Sequence, residues 1–154
     1  MIYISHRGNL DGILKDKENS LQYIQTALDY GVHVEIDLRM KDGQPYLGHD
    51  KPQYPVTKQW LQERTDKLWI HVKEYEALVW LMEHLPNSMF FCHEADRYTL
   101  TSNGYIWSHD LNNNMTDKCI IPLLDLVSVN SYNKTGFYAV CSDFIVDCQR
   151  KFDK

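Results

Sequence analysis

No stretch of this chain is apolar for long enough to cross a bilayer. Its longest apolar runs, such as Cys119–Leu124, fall far short of the roughly 20 residues that a membrane helix needs. Dense runs of Lys or Arg are also missing. With 16 basic against 21 acidic side chains the net charge is −5, so the chain offers no broad attraction to a phosphate backbone, and nucleic acid is a poor default partner. The N-terminus, Met1 to His6, lacks the basic leader, long apolar block and small-residue cleavage site of a secretory signal, which makes the cytoplasm the simplest expected compartment. No Cys-x-x-Cys pair occurs, and Cys92, Cys119, Cys141 and Cys148 read as mostly buried free thiols. There is no linker, low-complexity tract or fixed-period repeat.

What is present suffices for one packed domain spanning residues 1–154, with 44% of the side chains hydrophobic. Ile2, Tyr3 and Ile4 form a β-favouring run that opens into a loop at Ser5, His6, Arg7 and Gly8. Asn19 or Ser20 can cap a helix whose apolar positions Leu21, Ile24, Ala27 and Leu28 recur at helical spacing until Gly31 ends it. A second strand over Val32–Leu38 puts His33, Glu35 and Asp37 on one face and Val34, Ile36 and Leu38 on the other. Asp42 and Gly43 signal a hairpin, from which Pro45–Gly48 returns to deliver His49 near the end of the second strand. Thr57 can cap a short helix around Trp60 and Leu61. Leu68–Lys73 reads as the next central strand, with His71 and Lys73 on a shared face. Ala77, Leu78, Leu81, Met82 and Leu85 make a helical stripe stopped by Pro86, and Met89–Cys92 is another strand.

Beyond residue 94 the pattern weakens. Gly104–Trp107 and Phe137–Cys141 read as strands, Ile120–Ile121 and Leu126–Val129 as weaker ones, and no long helix is evident. Alternating strands and helices imply an α/β fold with a mostly parallel sheet and its site at the carboxyl ends of the strands. A full (β/α)8 barrel takes about 250 residues, so the expectation here is a trimmed or incomplete TIM-type barrel. Fewer helices leave the barrel flanks exposed, which makes a homodimer one way of covering them.

His6-Arg7-Gly8, Glu18-Asn19-Ser20, Glu35-Ile36-Asp37, Lys41-Asp42-Gly43 and His49-Asp50 follow one another within the first 50 residues. This ordered set resembles the glycerophosphodiester phosphodiesterase family, whose barrel superfamily also includes phosphatidylinositol-specific phospholipases C. The Ile70–Lys73 strand is similar to that superfamily's acid-x-Lys strand, with His71 in place of the acid. Ser142-Asp143-Phe144 is similar to the end of its last strand.

The resemblance implies a metal-dependent phosphodiester hydrolase acting on a small glycerophosphodiester-like substrate. In it His6 and His49 serve as the acid/base pair, and a divalent cation is bound by Glu35 and Asp37 with His71, and with Glu18 either at the metal or orienting His6. The chemistry suits these residue types: paired carboxylates present oxygen ligands, imidazoles move protons near neutral pH, and Arg7 and Lys73 can hold phosphate oxygens. The family pattern implies Mg2+ or Ca2+, whereas the imidazole of His71 suits Mn2+ or Zn2+ better. Trp107, with Tyr105, stands near a strand end where it can line the substrate cleft, although aromatic residues more often fill cores.

Plainer readings stand beside these. Arg7 and Lys73 can simply pair with Glu35 or Asp37. His33, His84, His93 and His109 read as structural, and Glu94 and Asp96 as part of a solvated loop. Asp143 either points into the site or bonds the adjacent turn. Two further functions use the same residues: a phosphodiesterase-derived binding or regulatory module that lost turnover with its third carboxylate, and a lyase forming a cyclic phosphate. The short interval 51–67 after His49-Asp50 implies an open cleft, and with it a choice of substrate extending to diesters of polysaccharide or lipid precursors.

Overall fold

Ile2, Tyr3 and Ile4 begin β1 (Ile2–His6), and the loop after it ends at Ser20, whose hydroxyl accepts from Tyr23 N to start α1 (Leu21–Tyr30). Gly31, at φ 100°, closes that helix in the left-handed conformation that glycine adopts without a Cβ penalty. The computed structural model describes residues 1–153. The chain continues through β2 (His33–Lys41), β3 (Gln44–Leu47), β4 (Tyr54–Pro55), α2 (Lys58–Gln62), β5 (Leu68–Val72), α3 (Tyr75–His84) and β6 (Met89–Cys92). It then forms β7 (Tyr98–Leu100), β8 (Ile106–Ser108), β9 (Cys119–Pro122), α4 (Leu126–Ser131), β10 (Ala139–Ser142) and α5 (Ile145–Phe152).

The main sheet runs β6-β5-β2-β1-β10-β9-β8-β7, with every neighbouring pair parallel except β7 and β8. The β3–β4 ribbon pairs antiparallel with the far end of β2, beyond its pairing with β1. Accumulated strand twist curls the sheet into a partial barrel of mostly parallel strands. Its two edges approach each other where Thr99 Oγ1 donates to the Cys92 carbonyl (2.9 Å) and Ser102 N to that of Phe90 (2.8 Å).

Strand alternation sorts the core into two parts. Facing the helices, Val34, Ile36 and Leu38 of β2 and Ile70 of β5 pack with Ile24 and Ala27 of α1, Ala77 and Leu81 of α3, and Ile145 and Cys148 of α5. Inside the curl, Ile4, Trp69, Phe91, Trp107, Ile120, Ala139 and Cys141 form a separate cluster. Each large side chain withdrawn from water in this way contributes about 1.5–3 kcal/mol.

Several expectations for the second half need correction. Leu126–Val129 is the start of α4, not a strand, because Asp125 caps it by accepting from Ser128 N (2.8 Å) and outweighs the β-favouring valines. The unanticipated α5 buries Ile145 and Cys148 against the sheet, and β7 is a three-residue edge too short to leave a periodic signature. On α3, Ala77 and Leu81 are buried, but Met82 lies on the solvent side. All four cysteines are free, and of these Cys92 is exposed. Among the described residues, no helix is long and apolar enough to cross a membrane.

Candidate metal centre and cleft

Parallel register brings the chemistry to one end of the curl. His6 of β1 stands beside Glu35 of β2, and Asp37 two residues on stands beside His71 of β5. Every second residue of a strand points inward, so Glu35 and Asp37 project into the barrel while Val34, Ile36 and Leu38 enter the helix-facing core. His6, Arg7, Glu35, His49, His71, Lys73 and Trp107 all line one cleft of about 530 Å3.

At its base, Glu35, Asp37 and His71 form a buried group whose donor atoms lie within 4.8 Å of one another, and which could hold a metal ion. His71 Nδ1 is 3.3 Å from Asp37 Oδ1 and 3.6 Å from Glu35 Oε1. The other ring nitrogen, Nε2, is 2.8 Å from the His93 carbonyl oxygen. A carbonyl only accepts, so Nε2 carries a hydrogen and Nδ1 is the nitrogen turned toward the two carboxylates, able to bind a metal ion once its own proton is lost. A metal-bound histidine is oriented in the same way. Glu35 Oε2 and Asp37 Oδ1 are buried with no hydrogen-bond partner, which is costly for a carboxylate oxygen unless a cation meets it.

The remaining polar groups fix these ligands in place. Asn19 clasps Asp37 twice, donating from Nδ2 to Oδ2 (2.8 Å) and accepting from the Asp37 N–H at Oδ1 (2.9 Å). Arg7 Nε lies 3.0 Å from the same Oδ2. Burial alone would raise the Asp37 pKa, but His71, Arg7 and Asn19 overrule it and hold the carboxyl well below its usual range. Burial likewise pulls His71 down, yet its contacts with Asp37 and Glu35 push it up to about 9. In the absence of a metal ion His71 therefore keeps a proton as the carboxylates' counter-charge.

His6 forms a second unit. Its Nδ1–H donates to Asp143 Oδ1 (2.8 Å), and its Nε2 faces Glu35 Oε2 at 3.9 Å. Burial disfavours the imidazolium, but the Asp143 hydrogen bond and the Glu35 and Asp143 charges leave its pKa raised. Asn9, fully buried, donates to both Asp143 (2.7 Å) and Glu18 (2.8 Å). Glu18, expected as a metal ligand or as the group orienting His6, stands apart from the Glu35–Asp37–His71 group. It accepts from Asn9 and pairs with Arg7 Nη1 at 3.4 Å, on the far side of the guanidinium. Its link to His6 is indirect, through Asn9 and Asp143.

His49 reaches the mouth of the cleft from the turn after β3. Any side chain at Gly48 would collide with the Lys51 carbonyl, 2.0 Å from a Cβ placed there, so the sharp path into His49 requires glycine. Arg39 Nε holds the loop by donating to the Gly48 and His49 carbonyls (3.1 and 3.0 Å), and its Nη1 pairs with Glu74 at 3.3 Å. The His49 ring bonds Asp50 (2.7 Å).

The opposite wall is aromatic. Trp107 is almost fully buried and stacks on Phe91 (4.3 Å), which stacks on His71 (4.9 Å), so it floors the cleft more than it lines an open surface. His93 and His109, expected to be structural, stack at 4.1 Å and both face the cleft. Burial and the surrounding imidazoles lower both, His109 to about 4. Each directly follows a strand, much as His6 ends one, and that placement was the signal available for them. A scan against protein-family models, a search of curated proteins and a search of solved structures each return no match for this chain.

Proposed function

We propose that the cleft is the active site of a metal-dependent phosphodiester hydrolase, of the kind the resemblance to glycerophosphodiester phosphodiesterases implies. One observation carries the reading. The Glu35 and Asp37 carboxylates and His71 Nδ1, which gives up its proton when a metal ion binds, converge beside an Asp-held histidine, on the floor of a cleft whose other charges include Arg7 and Lys73. A divalent ion held by Glu35, Asp37 and His71 supplies charge neutralisation for the phosphate when bound.

The chain's own side chains do the rest. Arg7, with Nε beside Asp37 and Nη1 paired with Glu18, lines the cleft and meets a non-bridging phosphate oxygen, and Lys73 adds a second positive contact. His6 is held by Asp143 in the tautomer whose Nε2 can take the proton of the attacking water as the new P–O bond forms. His49, half-exposed at the mouth, returns a proton to the leaving alcohol as the old P–O bond breaks. A small glycerophosphodiester-like substrate fits a cleft of about 530 Å3.

The test is cleavage of a panel of glycerophosphodiesters by chelator-stripped protein with Mg2+, Ca2+, Mn2+ or Zn2+ restored, with products read by phosphorus NMR. Metal-dependent cleavage falling about 10²–10⁴-fold in both His6→Ala and His49→Ala is the expected result. Cleavage indifferent to both substitutions overturns the reading. A cyclic phosphate product identifies a lyase, and metal-dependent binding without turnover identifies a binding module.

A further inference from the structure

Resting on the metal reading above, we infer that the centre is built for a first-row transition ion such as Mn2+ or Zn2+ in preference to Mg2+ or Ca2+. The donor set is two carboxylates and one imidazole nitrogen, and three features keep it so. His71 cannot turn its Nδ1 away without giving up the 2.8 Å hydrogen bond from Nε2 to the His93 carbonyl and its stacking on Phe91. Asp37 Oδ2 accepts from Asn19 Nδ2 and lies beside Arg7 Nε, which leaves Oδ1 as the oxygen turned to His71. That makes Asp37 a one-oxygen ligand, unlike the bidentate carboxylates that Ca2+ often uses among its 6–8 oxygen ligands.

Three nearby carboxylates are engaged elsewhere. Asp143 accepts from His6 and Asn9, Glu18 from Asn9 and Arg7, and Glu74 from Met40 N and Arg39. The next donor facing the group is another nitrogen, His6 Nε2, 3.9 Å from Glu35. Mg2+ would bind here through the two carboxylates and water alone, whereas the fixed imidazole nitrogen adds a donor that suits transition ions better.

Almost any site with nitrogen and oxygen donors binds Zn2+ more tightly than Mg2+, so raw affinity does not decide the matter. The decisive readout is how His71→Glu changes the ratio of affinities, measured calorimetrically on chelator-stripped protein with each metal alone. We expect the substitution to lower the preference for Mn2+ over Mg2+ and for Zn2+ over Ca2+ by at least about tenfold. In the unsubstituted protein, bound Mn2+ should show pulsed-EPR coupling to an imidazole nitrogen that disappears in His71→Gln. Unchanged ratios together with no nitrogen coupling overturn this inference while leaving metal binding intact. Failure of every metal to bind the folded protein overturns the metal reading itself.

Discussion

The two halves of the curled sheet use the same backbone device, a strand ending in a loop, for opposite purposes. From β1 to β5 the strands carry His6, Glu35, Asp37 and His71, and all but Glu35 are held by hydrogen bonds, from partners such as Asn19 and Asp143. From β6 to β10 the wall is mostly stacked rings, Phe91 on Trp107 and His93 on His109, with fewer helices behind it. Directional bonds fix where charges sit, whereas stacking fixes shape and keeps water out. The halves also titrate in opposite senses, with His6 and His71 raised and His93 and His109 lowered.

Removing the centre of the aromatic half should have the largest effect on folding. Trp107→Ala empties a buried site and should cost about 3–5 kcal/mol by denaturant melts. Metal affinity should change little, because Glu35, Asp37 and His71 lie on β2 and β5. An equal collapse of metal binding would show that the stack from Trp107 through Phe91 to His71 positions the ligand, and the division between the halves would fail.

A smaller effect sharpens the contrast through pH. His93 and His109 bind protons less readily folded than unfolded, so stability should fall as pH drops below about 6.5, the His109 contribution extending to about 4. For His71 the sign reverses. Its contribution is complete below the ordinary histidine value and is lost as pH rises through about 9. Thermal melts of chelator-stripped protein should therefore show both limbs, with His71→Gln removing the part of the alkaline limb that extends to about 9 and leaving the part due to His6. An alkaline limb that still extends to about 9 in that variant would place the proton elsewhere.

Much of this was legible in the sequence where short-range rules operate. The alternation of Val34, Ile36 and Leu38 with Glu35 and Asp37, the Ser20 cap, the Gly31 stop and the Asp42-Gly43 turn all survive in the fold because none depends on distant contacts. The second half was less readable. Its strands have three or four residues, and its closing helices are six and eight residues long, too short for a clear period. In the site, inward-pointing ligands followed from strand alternation, but Glu18 lies in a loop whose path depends on Asn9 meeting Asp143, 134 positions away. His93 and His109 were hidden for the same reason, since only the curl turns their strand ends toward His71.

The most direct test of the central claim is to locate the ion by anomalous scattering from crystals of chelator-stripped protein soaked in Mn2+ or Zn2+. A single peak bonded to Glu35, Asp37 and His71 Nδ1, and absent from Asp37→Ala crystals, is the predicted result. No peak among these three side chains, with metal found only at exposed acidic residues, would contradict it.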